Sequence, residues 1–137
     1  MLASIVRRRG QPEFRQRLLN AYARKCAISG CDAVEALEAA HIIAYRGPET
    51  NHPTNGILLR TDLHTLFDLG LLAVDTSTMA VVVAPELART SYGEFAGRVL
   101  SLPSSPDLRP SRKALDQHRA WSRVGGDRID GCSSAAP

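Results

Sequence analysis

The spacing of apolar positions changes period several times along this chain, and each change marks an element. Phe14, Leu18, Leu19 and Tyr22 recur at helical spacing while Arg15, Arg17 and Arg24 take other faces, which predicts a helix from about Pro12 to Lys25. Pro12 suits its first turn, where a backbone N–H has no helical partner to lose. Ser29-Gly30-Cys31-Asp32 reads as a turn, and Leu37 to Tyr45 follows as a strand-like stretch that contains His41. Gly47 to Pro53 is loop chemistry throughout. Asn55-Gly56 then signals a turn, and Ile57-Leu58-Leu59 a short buried strand. Thr61 or Asp62 can cap a short helix, about Asp62 to Leu69, whose apolar residues are Leu63, Leu66 and Phe67 and which Gly70 is placed to end.

Further on, Leu71 to Val74 and Met79 to Ala84 predict two strands around the turn Asp75-Thr76-Ser77-Thr78. Tyr92, Phe95, Ala96, Val99 and Leu100 predict an amphipathic helix, and Pro103 to Pro110 a proline- and serine-rich connector. A last helix begins near Ser111 and carries Leu115, His118 and Trp121, the latter two assigned to core packing. The order predicts an α+β fold in which a two-stranded hairpin and a short helix are wrapped by amino- and carboxy-terminal helices. At 137 residues there is room for one domain, placed at 11–124 between a basic arm (1–10, with Arg7, Arg8 and Arg9) and a disordered tail (125–137).

Composition narrows the partners only slightly. A formal net charge of +3 is a weak statement, but of the 17 basic residues only Lys25 and Lys113 are lysines. The planar guanidinium suits phosphate, although a GC-rich coding sequence gives the same bias and composition alone favours that explanation. Three cysteines cannot all pair, and no secretory signal is visible at the start, so a reducing cytoplasm is expected. No apolar run approaches the roughly 20 residues of a membrane span, so no membrane partner is expected.

The chemistry lies in the order His41, Asn55, His64, with a strand under the first, a turn at the second and a helix under the third. Cleaving a phosphodiester needs a base for water, a cation for the charge that grows on the phosphate, and a rigid frame. A neutral imidazole serves as a base near pH 7. His64 and Asp68, four residues apart on one side of the short helix, could hold the cation.

These residues also resemble a known family. Leu37-Glu38-Ala39-Ala40-His41-Ile42-Ile43, Asn55-Gly56-Ile57-Leu58-Leu59-Arg60 and Asp62-Leu63-His64-Thr65-Leu66-Phe67-Asp68 look like the HNH endonucleases, in the branch associated with restriction and defence proteins. The resemblance implies a ββα-metal core and hydrolysis of DNA phosphodiesters. It implies His41 as general base, Asn55 as the residue that braces the loop and helps orient that base, and His64 as ligand of one divalent metal. Asp68 as a second ligand follows from helical spacing more than from the motif. Mg²⁺ is the default ion, while a histidine ligand also suits Mn²⁺, Ni²⁺ or Zn²⁺.

The chain departs from the commonest pattern at Ala40, where many relatives carry a metal-binding Asp or His just before the first histidine. It also lacks paired Cys-x-x-Cys knuckles, so a structural zinc is not expected; Cys26 reads as a small buried residue and Cys31 as a turn residue. Arg46, Arg60 and His52 flank the motif as candidate phosphate contacts. A homodimer, or a separate recognition domain or subunit, would fit a small nuclease. The alternatives are a catalytically silent HNH-like module that binds nucleic acid or protein, favoured by Ala40, and an interaction domain using the arm and amphipathic helices.

Overall fold

The computed structural model describes residues 11–124; the arm and tail expected at 1–10 and 125–137, with Cys132, lie outside them. Helix α1 spans Pro12–Ala21, capped by Gln11, whose side-chain oxygen accepts the Phe14 N–H at 2.7 Å. It ends four residues before the predicted Lys25. The backbone turns instead through Ala23 and Arg24, both at positive φ (55° and 61°), which carries the chain back to the fully buried Cys26. The Cys26 sulfur accepts the Ser29 and Arg60 N–H groups, tying this turn to the hairpin.

Strands β1 (Leu37–His41) and β2 (Gly56–Arg60) pair antiparallel, with His41 opposite Gly56 and Leu37 opposite Arg60. The predicted strand to Tyr45 stops at His41, where the chain enters the long polar loop. Four of the five residues in each strand are buried, because α1 and the next helix, α2 (Thr61–Asp68), both pack on this hairpin. Covering on two faces explains the unbroken apolar run Ile57-Leu58-Leu59, which an open face would have interrupted with polar residues. Gly56 is required sterically: a Cβ there would come within 2.7 Å of both Leu18 and Phe14. Its backbone is extended at φ −137°, so the Asn55-Gly56 pair begins a strand and makes no primed hairpin turn.

Helix α2 ends as its sequence suggests, with Gly70 at φ +75° and the Leu71 N–H returning to the Leu66 carbonyl. Its start differs from the expected cap. Arg60 stands at the cap position without a side-chain bond, and Asp62 takes the Arg60 guanidinium at 2.7 and 3.0 Å.

Strands β3 (Leu72–Asp75) and β4 (Ala80–Val83) form the second hairpin, whose turn is fixed by Asp75 accepting from the Ser77 N–H and hydroxyl. A short helix α3 (Pro85–Ala88) follows. The helix expected around Tyr92 to Leu100 is absent: a 3₁₀ turn covers Ser91–Phe95, and then Val99 bridges Ala80 on the edge of the second hairpin. Gly97 at φ +82° breaks the helical path, and the free edge of β4 captures the segment through Gly97, Arg98 and Leu100 backbone bonds.

Helix α4 (Arg112–Trp121) starts where expected, with Ser111 accepting the Ala114 N–H. It packs on β3 and reaches α2: the His118 ring stacks on Phe67 at 3.7 Å and its Nε2 donates to the Phe67 carbonyl. Burial pushes the His118 pKa below its ordinary value, as a core histidine requires. Trp121, expected in the core, is 65% exposed, because the helix ends as it passes Gly70 and only one side of the indole finds a neighbour.

Candidate active site

His41, at the end of β1, and His64 and Asp68, the fourth and last residues of α2, line one cavity of about 920 Å³. Arg46, from the loop after β1, also lines it. Two histidines 23 positions apart in sequence therefore face one space, although α1 covers one face of the hairpin and α2 the other.

The two rings have different surroundings. His41 stacks on Phe14 at 4.5 Å and meets the edge of Tyr45 at 5.6 Å. Its Nε2 lies 2.7 Å from the Asn51 side-chain oxygen. An amide oxygen only accepts, so Nε2 carries the proton and the lone pair of the neutral ring sits on Nδ1. Asn55 makes no such contact with the ring. Its oxygen accepts the Ile43 N–H at 2.9 Å while its nitrogen donates to the Ile43 and Thr50 carbonyls, each at 3.0 Å. These three bonds close the loop on which Asn51 sits, so Asn55 acts on His41 at one remove.

His64 stands between two carboxylates. Nδ1 is 2.6 Å from Glu38 and Nε2 is 3.1 Å from Asp68. Burial alone would lower its pKa, but the hydrogen bonds and charges of Asp68 and Glu38 outweigh it and hold the imidazolium up to about 9. Glu38 is 4% exposed and also accepts from the Thr61 hydroxyl at 3.2 Å, so its carboxylate is fixed on more than one side.

Neither Glu38 nor Asn51 was singled out from sequence. Glu38 had a signal, an acidic residue inside the apolar run Leu37 to Ala40, where a charge is tolerated only with a partner. Asn51 had none, being one polar residue in a polar loop. Strand alternation sets Glu38 and the fully buried Ala40 on the same face of β1, so the missing carboxylate at 40 has a counterpart one pleat back that grips the His64 ring.

Two expected contacts lie elsewhere. Arg60 sits at the opposite end of the hairpin from His41, its guanidinium occupied by Asp62 and near the Phe95 ring. His52 caps the 3₁₀ turn Pro53–Asn55 through the Thr54 N–H and lines a separate, smaller cavity beyond Phe14. Arg15, read as an outer basic residue, donates to the Val34 and Leu37 carbonyls.

Among the described residues no group of three or more His, Cys, Asp or Glu side chains converges on an ion-sized point. The donors available are one imidazole nitrogen and one carboxylate oxygen, 3.1 Å apart at a cavity wall. That pair fits a divalent ion whose remaining positions are open to water or phosphate, as a catalytic site requires.

The sequence of this region matches a family model over residues 26–75, described as HNH endonuclease. That segment, a little over a third of the chain, is similar to the HNH endonucleases. Its hairpin and helix, β1, β2 and α2, are the ββα core of the HNH fold. Among solved structures, the chain is similar to a "Modification dependent TagI restriction endonuclease", at 19% identity and a TM-score of 0.53. The match covers 78% of this chain and 36% of that one, so this chain spans little more than a third of its neighbour's length. No curated protein matches the chain. Among the described residues no helix is long and apolar enough to cross a membrane.

Proposed function

We propose that the chain hydrolyses DNA phosphodiester bonds as a metal-dependent endonuclease. The carrying observation is that His41 and His64 line one cavity, with Asn51 holding the His41 ring so that Nδ1 is its basic nitrogen. In this reading water is deprotonated at His41 Nδ1 and attacks phosphorus, with the developing imidazolium sustained by the Asn51 oxygen and the face of Phe14. Asn55 keeps the loop closed while this proton moves.

His64 Nε2 and Asp68 would hold one divalent ion, and Glu38 would fix the His64 ring through Nδ1. When bound, that ion supplies Lewis-acid stabilisation of the phosphate and leaving oxygens. Mg²⁺ is the default, with Mn²⁺, Ni²⁺ or Zn²⁺ also suited to the nitrogen donor. Arg46 would neutralise a phosphate beside the reacting one. Specificity would come from a second copy or from a separate recognition domain or subunit; the neighbour's name makes modified DNA the first substrate to try.

The test is cleavage of supercoiled plasmid, methylated and unmethylated, with each ion or with EDTA. His41→Ala should lower the rate at least a hundredfold, and His64→Ala should abolish the response to metal. Undiminished cleavage by the His41→Ala protein would remove the base. A second reading, a silent module that binds nucleic acid without cutting it, is favoured by the buried Ala40 and by the two-donor site. Absence of ion binding by calorimetry would favour it over the nuclease.

A further inference from the structure

His41, His64, Asp68 and Arg46, the residues given roles in the proposed reaction, are a minority of those lining the cavity. Its remaining wall includes Ile42, Ile43, Tyr45, His118, Trp121 and Pro12, an apolar surface larger than one phosphate and one ion need. Two of these rings are both exposed and anchored. Tyr45 is 58% exposed and rests edge-on against His41, with ring centres 5.6 Å apart. Trp121 is 65% exposed, yet its ring lies over Gly70, 3.2 Å from where a Cβ there would project, and 5.6 Å from His118. An aromatic ring fixed on one side and open on the other is a stacking surface, and leaving two of them in water has a cost that a ligand would remove.

We propose that this apolar half of the cavity receives an unpaired nucleobase of the substrate strand, stacked on Tyr45 or Trp121 beside the scissile phosphate. The proposal rests on the nuclease reading and adds to it a substrate class, DNA that is single-stranded or locally unpaired at the cut. Continuity decides the occupant. The same space holds His41 and His64, so whatever strand presents its phosphate there brings its own bases within reach of Tyr45. Arg46, cationic and exposed on the cavity rim, matches a polyanionic strand better than an apolar peptide. A paired base is already stacked within its duplex, and must be extruded before it can enter such a pocket.

Trp121 is the single tryptophan of the chain, so its fluorescence reads the pocket directly. In EDTA, titration of the full chain with a short single-stranded DNA should quench that fluorescence, and a fully paired duplex of the same sequence should quench it far less. Tyr45→Ala and Trp121→Ala should each weaken single-strand binding about tenfold and duplex binding less than twofold, measured by anisotropy of labelled DNA. Trp121→Phe, which keeps a stacking face, should restore most of the loss if the alanine variant folds poorly. Equal losses on both substrates, no quenching by the single strand, or fluorescence that changes with protein concentration alone would overturn the proposal, the last by assigning the surface to a second copy of the chain. Cleavage that needs His41 but is indifferent to Tyr45 and Trp121 would sink this inference alone. Cleavage indifferent to His41 would sink the nuclease reading beneath it.

Discussion

Raising the pH should weaken the metal-free fold, and His64 sets the window. Folded, its imidazolium is held to about 9 between Asp68 and Glu38; unfolded, it titrates near 6.5. Between those values the native state binds one proton more than the unfolded chain, so stability falls as pH rises, by about 1.4 kcal/mol for each pH unit. The contribution is complete below about 6.5 and gone above about 9. Integrated over that window it amounts to roughly 3 kcal/mol, a ceiling, because the neutral ring still donates one hydrogen bond to a carboxylate. Against a total of about 5–15 kcal/mol for a domain of this size, the loss is easily seen. Urea denaturation in EDTA at several pH values between 6 and 10 measures it. The His64→Gln protein, which has no imidazole to titrate, should lose the slope, and Asp68→Asn should move the upper inflection to lower pH. A wild-type stability that stays flat from pH 6.5 to 9.5 would refute the ion-paired histidine.

Other outcomes follow from the same geometry. Divalent-ion binding should strengthen about tenfold per pH unit up to about 9, with one proton released per ion, since the ion and the proton compete for His64 Nε2; calorimetry in buffers of different ionisation heat counts that proton. Asn51→Leu should slow cleavage by about ten- to a hundredfold without changing ion affinity. Gly56→Ala should lower Tm by several degrees, because its Cβ would press into Leu18 and Phe14, with a cost of about 1–3 kcal/mol, and should slow cleavage by shifting the ring on which His41 rests. Leu58→Ala, in a fully buried position, should cost about 2–5 kcal/mol with no change in the pH profile of activity.

The parts of the fold that could be read from sequence are those where local pattern and tertiary burial agree. Helix α2 has its apolar stripe, its terminal Gly70 and its length all in accord, and both hairpins carry β-branched or apolar runs bounded by turn residues. The segment from Tyr92 to Leu100 shows the opposite case. Its spacing is helical, but Gly93 sits against the Ala88 carbonyl, where no Cβ fits, and Gly97 takes a left-handed conformation, so the edge of β4 decides its path. The end of α1 was misplaced because Ala23 and Arg24, neither a usual terminator, adopt positive φ when the buried Cys26 pulls the chain back. At the site, His41, His64 and Asp68 were legible as residue types at spacings. The hydrogen bonds that differentiate them were not, because Glu38 is 26 positions from His64 and Asn51 is 10 from His41 on a loop without a regular period.

Those unread contacts are what distinguish the proposed roles of two chemically identical side chains. An imidazole with a carboxylate on each nitrogen is held as a cation, and in that state it cannot accept a proton from water; it can, however, exchange its Nε2 proton for a metal ion, which the same two carboxylates welcome. An imidazole with an amide oxygen on one nitrogen and a phenyl face beneath it has no hydrogen-bonded carboxylate on that nitrogen, and its ring lines the cavity. On the proposed reading, interchanging the neighbours would interchange the roles. The proposed assignment of base to His41 and ligand to His64 therefore has a physical ground independent of motif order. It also accounts for Glu38 being buried at a place where an unpaired carboxylate would be costly: the ring it grips supplies the compensating charge, from a proton in the free protein and from a metal ion in the proposed working state.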